Sequence, residues 1–240
     1  MLENKEIKDL EVYFKNKKVT LEKQLREDRP NFIGRTNDDE EYIVKLPHFE
    51  GDTSVLLERT TRLALNMNIG SGHPNVLLDF DFGTFSKGCD YIVLPYESDN
   101  IDLLHLIQKD QISFAQACKI FLSICNGLEY IHQHEIVHRD IKPGNILVKQ
   151  SKEEGVIIDF GFALLKNFNL SKEERYKLEG IVVGTPSYIA PESWMEIEYN
   201  QQTDIYSLGI TLYELFTGKV PFTASCNVDI GLKHIYEEPT

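Results

Sequence analysis

Between residues 138 and 161 the chain reads HRDIKPGNILVKQSKEEGVIIDFG, and four side chains in it could do chemistry together. Asp140 and Asn145 sit in a polar loop broken by Pro143 and Gly144, and Asp159 closes an apolar run that reads as a strand. Carboxylates at strand ends beside a loop can converge on one point. Two oxygen donors, Asn145 and Asp159, suit a hard cation that keeps several of its waters, which means Mg2+ rather than zinc. Asp140 is then left to accept a hydrogen bond from a nucleophile, and Lys142 adds positive charge nearby. An acid, two metal ligands and a lysine describe phosphoryl transfer, in which positioning and charge neutralisation supply most of the catalysis.

Those residues need elements to hold them. Before residue 97 the chain shows short apolar runs split by polar turns. VTLEKQL (19–25), FIGRT (32–36) and EYIVKL (41–46) read as strands, the last two joined at Asn37 and Asp38. A helix-like segment spans about 53–66, and DFDFGTF (79–85) and CDYIVLPY (89–96) read as a hairpin turning at Ser86, Lys87 and Gly88. After residue 97 the period changes. Behind Ser113, a candidate N-cap, Phe114, Ala117, Cys118, Phe121, Ile124, Cys125, Leu128 and Ile131 recur at three- and four-residue steps and mark one face of a helix ending near Gln133. ILVK (146–149) and GVIIDF (155–160) read as strands around a turn, and a second long helix runs from about Thr203 to Phe216, with Gly218 and Pro221 as stop signals. The expected class is α+β: a small antiparallel β lobe with one helix, then a larger, mainly helical lobe.

Composition narrows the function classes. The 240 residues are 42% hydrophobic and 26% charged, which excludes collagen, coiled coil and disorder. A net charge of −13 argues against nucleic-acid binding and favours basic or metal-chelated partners. Cys89, Cys118, Cys125 and Cys226 form no C-x-x-C pair, so zinc-ribbon and redox readings fail and reduced thiols in a cytoplasmic setting are expected. The charged N-terminus does not read as a signal peptide, and no apolar run is long enough to span a membrane.

HRDIKPGN resembles the catalytic loop of protein kinases, H-R-D-x-x-x-x-N, and Asp159-Phe160-Gly161 resembles their metal-binding D-F-G. GTPSYIAPE (184–192) looks like the end of the activation segment, DIYSLGITLYELFTGKVPF (204–222) like the buried helix after it, and Tyr42-Ile43-Val44-Lys45 like the V-A-I-K strand. The chain is therefore similar to the eukaryotic-like serine/threonine protein kinases over roughly residues 19–239. The resemblance implies a bilobal kinase fold: an N-terminal extension (1–18), an N-lobe with hinge (19–97) and a C-lobe (98–240). It implies ATP and Mg2+ as cofactors, a protein substrate, basic in view of the charge, and autophosphorylation on the activation segment. Lys45 would hold the α- and β-phosphates, with Glu58 as its ion-pair partner. Asp140 would accept the substrate proton, Lys142 would neutralise the transferring phosphate, and Asn145 and Asp159 would bind Mg2+. Leu94 falls at the gatekeeper position, Pro95 and Glu97 at the adenine-contacting backbone positions, Ile33 above the base, and Asp102 or Asp99 near the ribose or a basic substrate residue. His138 and Asp204 read as structural, Asp204 capping backbone amides of the catalytic loop and Thr185 bonding near Asp140. Arg139 would receive a phosphate from the activation segment, with Ser171, Tyr176, Thr185 and Ser187 as candidates.

The chain departs from the family where the Gly-rich loop should lie. Arg26, Asp28 and Asn31 occupy the three glycine positions, where close backbone approach to phosphates and positive φ favour glycine. Glu192 of the A-P-E lacks its usual arginine, since none follows Arg175. Residues 228–239 look like the helix after the buried one, and Tyr206 stands where animal kinases usually carry tryptophan. A pseudokinase serving as a regulatory module and a small-molecule phosphotransferase are the alternative readings.

Overall fold

The computed structural model describes residues 12–26, 29–46, 55, 58, 61–62, 72–84, 90–109, 112–165, 182–195 and 199–239. The Ser86–Gly88 turn, most of the 53–66 segment, Asp28, Ser171, Tyr176 and Arg175 lie outside them. The chain forms two compact units, one of residues 1–72 and 78–98, the other of residues 73–77 and 99–240.

The first unit is built on β1 (Val12–Phe14), β2 (Lys17–Arg26), β3 (Arg29–Arg35), β4 (Glu41–Lys45), β5 (Asp81–Thr84) and β6 (Asp90–Pro95), in the sheet order β1-β2-β3-β4-β6-β5, with every neighbouring pair antiparallel. Period-2 alternation in β4 turns Tyr42 and Val44 into a core of Val12, Phe14, Val19, Phe32, Leu46, Tyr91 and Val93. The sheet curls. Its two outer strands meet where Lys15 N–H donates to Asp81 Oδ2 at 2.5 Å and Tyr13 N–H to the Tyr91 hydroxyl at 3.4 Å. Val55, Glu58, Thr61 and Arg62 are helical and buried.

Strand β1 is a correction, because residues 1–18 read as a charged extension. Val12 and Phe14 are buried with Tyr13 turned outward, and Lys15 and Asn16 take left-handed φ of 46° and 71°. Two central residues at positive φ are the requirement of a tight two-residue hairpin. Lys-Asn meets it without the Asn-Gly signature, and three residues carry too little alternation to announce a strand.

The second unit holds β7 (Asn100–Asp102), α1 (Leu103–Gln108), α2 (Phe114–Gln133), β8 (Ile136–Val137), a 3-10 turn at Pro143–Asn145, β9 (Ile146–Lys149), β10 (Glu154–Ile157) and β11 (Leu164–Leu165). A second 3-10 turn at Pro186–Tyr188, α3 (Pro191–Met195), α4 (Gln201–Thr217) and α5 (Asn227–Tyr236) follow. Ser113 caps α2 in a reciprocal capping box with Gln116. The helix buries Ala117, Ile120, Ile124, Gly127, Leu128 and Ile131, while Phe114 is 73% exposed and pairs with Phe216. Phe114 is thus not part of the core-facing stripe, and Ile120 is. Gly127 lets α2 come close to the backbone at Asn75, since a Cβ there would sit 2.6 Å from the Asn75 carbonyl oxygen. Helix α4 starts two residues before the expected point, capped by Asn200, and stops at Gly218 with φ 76°. Strand β10 ends at Ile157 rather than Phe160, because Ile157 and Ile146 form the last pair of the β9–β10 ladder.

Candidate active site

In the first unit, Ile33, Ile43 and Leu94 stand directly opposite one another across β3, β4 and β6, and Asn31, Lys45 and Ile92 form the next row on the same face. The face opposite the Val44 core therefore carries Ile43 and Lys45. Leu94 is 2% exposed, and Pro95 closes β6 opposite Tyr42. Tyr96 N–H donates to the Glu41 carbonyl at 3.1 Å, and Glu97 follows, exposed.

Lys45 Nζ lies 2.9 Å from Glu58 Oε2 and 3.2 Å from Oε1, with both side chains nearly buried. The sequence did not point to a third member of this cluster. Arg62, one turn after Glu58, donates from Nε and Nη2 to Glu58 Oε1 at 3.1 and 2.7 Å and is fully buried. The only sequence signal was the i,i+4 spacing in ERTTR, which surface helices also show.

In the second unit the loop after β8 is anchored from α4. Asp204, fully buried, accepts His138 N–H on Oδ2 and Arg139 N–H on Oδ1, each at 2.8 Å, and its Oδ2 also lies 2.9 Å from His132 Nε2. His138 is fully buried. Its Nδ1 accepts the Asp140 amide at 3.3 Å, which puts the ring proton on Nε2, 3.1 Å from the Ile158 carbonyl. One ring nitrogen serves this loop and the other the stretch after β10, so both are engaged with backbone. Arg139 has φ 65°, donates from Nε to the Phe162 carbonyl at 2.5 Å and lies over the Tyr199 ring at 5.1 Å. Burial pushes its pKa down to about 10, and it stays charged at neutral pH.

Asp140 is hydrogen-bonded on both of its carboxylate oxygens. Its Oδ1 accepts the Thr185 amide at 3.0 Å and the Thr185 hydroxyl at 2.8 Å, and its Oδ2 accepts Lys142 Nζ at 2.6 Å and Asn145 Nδ2 at 2.7 Å. Four donors fill the four lone-pair sites of a carboxylate. Thr185 and Lys142 stand beside Asp140 as expected, and Asn145 joins them as a donor. Lys142 also donates to the Thr185 hydroxyl at 2.5 Å. Asn145, 2% exposed, also donates from Nδ2 to the Asp140 carbonyl at 2.8 Å, which leaves its Oδ1 as the side chain's acceptor.

Asn145 immediately precedes Ile146, and Ile158 N–H donates to the Asn145 carbonyl at 3.0 Å. The end of the β9–β10 ladder therefore puts Asn145 and Asp159 at the same edge. Asp159 has φ 65°, and its Oδ1 accepts the Gly161 amide at 3.3 Å. An amide oxygen and a carboxylate are both hard donors, so this pair fits Mg2+ rather than a thiophilic metal. Asp102 is engaged structurally, since its side chain accepts Leu104 N–H at 2.8 Å as the N-cap of α1. Asp99 accepts the Ser151 amide and hydroxyl at 3.2 and 2.5 Å.

Downstream, Gly184 has φ 110°, and a Cβ there would lie 2.7 Å from the Arg139 carbonyl oxygen. The Tyr199 hydroxyl receives Val183 N–H at 2.7 Å and donates to the Val183 carbonyl at 3.2 Å. The buried Tyr188 hydroxyl donates to Glu214 Oε2 at 2.5 Å. Burial raises the pKa of both partners.

The protein kinase domain family matches this chain over residues 37–238. Among curated relatives, serine/threonine-protein kinase PknB of Mycolicibacterium smegmatis is 34% identical over 173 residues, 70% of this chain and 27% of that protein. Serine/threonine-protein kinase pkn3 of Myxococcus xanthus is 29% identical over 191 residues, 78% of this chain and 34% of that protein. Probable serine/threonine-protein kinase pknA2 of Bifidobacterium longum is 33% identical over 200 residues, 82% and 24% of the two chains. The chain spans about a third or less of the length of these relatives. No helix among the described residues is long and apolar enough to cross a membrane.

Proposed function

The chain belongs to the protein kinase domain family, and from that membership we propose that it is an ATP- and Mg2+-dependent serine/threonine protein kinase. The observation that carries the reading is the buried Asp140 carboxylate with Lys142, Asn145 and Thr185 gathered on it. Lysine after the catalytic aspartate, in I-K-P-G-N, supports serine and threonine as acceptors.

In the proposed reaction Lys45, oriented by Glu58, holds the α- and β-phosphates, while Ile33, Leu94 and the backbone at Pro95 and Glu97 receive the adenine. Asp140 takes the hydroxyl proton as the substrate oxygen bonds to the γ-phosphorus and the bond to the β-bridging oxygen breaks. The incoming hydroxyl displaces one of the four donors on Asp140, and the Lys142 ammonium then faces the transferring phosphoryl group. Asn145 and Asp159 hold Mg2+, which when bound neutralises charge on the phosphate oxygens. The net charge of −13 supports a basic protein substrate, and free Cys118, Cys125 and Cys226 fit a cytoplasmic setting. Autophosphorylation on the activation segment would fall on Ser171, Tyr176 or Ser187 rather than on Thr185, whose hydroxyl is engaged with Asp140.

One observation favours the pseudokinase reading: the β2–β3 ladder continues to Arg26 opposite Arg29, with no glycine in the tip. Transfer from labelled ATP to the protein itself and to a basic protein, against an Asp159→Asn control, separates the two. Transfer by the wild type that the control lacks supports the kinase, and its absence in both counts against the protein kinase and favours the binding module.

A further inference from the structure

Arg62 is the largest fully buried side chain among the described residues, and buried arginine is rare unless paired. One partner is the same carboxylate that pairs with Lys45. Side-chain exposures of 0% for Arg62, 3% for Glu58 and 12% for Lys45 make the three a desolvated ladder. The two oxygens of Glu58 are divided unequally. Oε1 receives the Arg62 Nε and Nη2 donors, at 3.1 and 2.7 Å, and a longer contact from Lys45 at 3.2 Å, while Oε2 takes the shorter Lys45 bond, at 2.9 Å. The guanidinium also lies 6.0 Å from the centroid of the Phe80 ring, so its plane is flanked as well as bonded. Desolvating a cation costs several kcal/mol, and an apolar side chain would fill the same space without that cost. A guanidinium retained there does something that an apolar side chain cannot. Two N–H groups on one oxygen restrict rotation of the carboxylate about its last bond, a torsion with a broad, weak intrinsic preference.

We propose that Arg62 is a positioning residue for phosphoryl transfer: it clamps Oε1 of Glu58 so that Oε2 is presented to Lys45. The proposal rests on the kinase reading for its effect on catalysis, while the clamp itself does not depend on that reading. Two cations on one carboxylate could instead compete, so that Arg62 would weaken the Lys45–Glu58 pair. The two relations give opposite signs.

The test is a mutant cycle on the whole chain. Lys45→Met and Glu58→Gln are made singly and together, in the presence and absence of Arg62→Met, and urea midpoints give the coupling between Lys45 and Glu58. The clamp predicts that the non-additivity of the midpoint shifts falls by half or more when Arg62 is removed. Unchanged or larger non-additivity overturns it. With MgATP, Arg62→Met is expected to lower kcat at least tenfold per folded molecule, with at most partial recovery in Arg62→Lys, whose ammonium cannot hold one oxygen with two fixed donors. Arg62→Met in the Glu58→Gln background is expected to cause less than a twofold further loss. An unchanged kcat and KM in a wild type that transfers phosphate overturns the proposal and leaves the kinase reading standing. A wild type that transfers none sinks the kinase reading, and the urea cycle then decides the clamp by itself.

Discussion

An acid that takes a proton from a hydroxyl needs a lone pair facing that hydroxyl, and in the structure both oxygens of Asp140 already accept two donors each. Asp140→Asn would set an amide N–H against donors on one side, so that either Lys142 and Asn145 or the two Thr185 donors lose their carboxylate acceptor. A stability loss of about 1–3 kcal/mol is expected together with loss of transfer, read by urea unfolding and by labelled ATP. A stable variant with wild-type turnover would remove Asp140 from the proposed chemistry. Glu214 allows a prediction in pH. Burial raises its pKa above the ordinary value of 4.5, so the native state binds the proton more tightly than the unfolded state. The stabilisation from that protonation is full below the unfolded value and is lost as pH rises through the folded one. Glu214→Gln, which can still accept from Tyr188, is expected to flatten the fall in stability above about pH 4.5, measured as unfolding midpoint against pH. An unchanged slope would mean that Glu214 is not its source.

Elements act on the site through backbone rather than through side-chain bulk. Helix α4 reaches the loop after β8 with one carboxylate, Asp204, which satisfies two buried amides that neighbour Asp140 in sequence. The stretch before the second 3-10 turn approaches the same loop at Gly184. Gly184→Ala combines a left-handed φ of 110° with a Cβ 2.7 Å from the Arg139 carbonyl oxygen, so backbone must shift. A loss of about 2 kcal/mol or more is expected, with a drop in kcat as Thr185 leaves Asp140. Unaltered unfolding and turnover would contradict the close approach. At this scale the sequence was legible where periods are long: α2 and α4 follow from three- and four-residue spacing and from Ser113 and Gly218 at their ends. It was illegible where elements are short. Val12–Phe14 is three residues with a Lys-Asn turn, and Phe114 sits at the right helical spacing yet faces solvent, because the first residue of a helix overhangs what the helix packs on.

For the whole molecule, nucleotide binding should appear as stability. A ligand that binds only the folded chain raises unfolding free energy by about 2.7 kcal/mol at a hundredfold excess over its dissociation constant. ATP with Mg2+ is expected to raise the unfolding midpoint more than ATP with EDTA, and Asp159→Asn should lose most of that difference. Equal shifts with and without Mg2+ would remove Asn145 and Asp159 as metal ligands. The tip without glycines at Arg26, Asp28 and Asn31 predicts a dissociation constant for MgATP above the low micromolar range, readable from the same titration. The sequence by itself determined the family and the cast of the site, because residue type and spacing are written in one dimension: an aspartate five residues before an asparagine, a D-F-G after a strand, a lysine at the end of β4. Only the tertiary structure decided what surrounds each of them. That Asp140 is encircled by four donors and that Arg62 shares Glu58 with Lys45 depend on residues up to 45 positions apart in sequence meeting in a low-dielectric interior. Burial there makes every unpaired charge costly, and that cost, which no local pattern records, selects the partners.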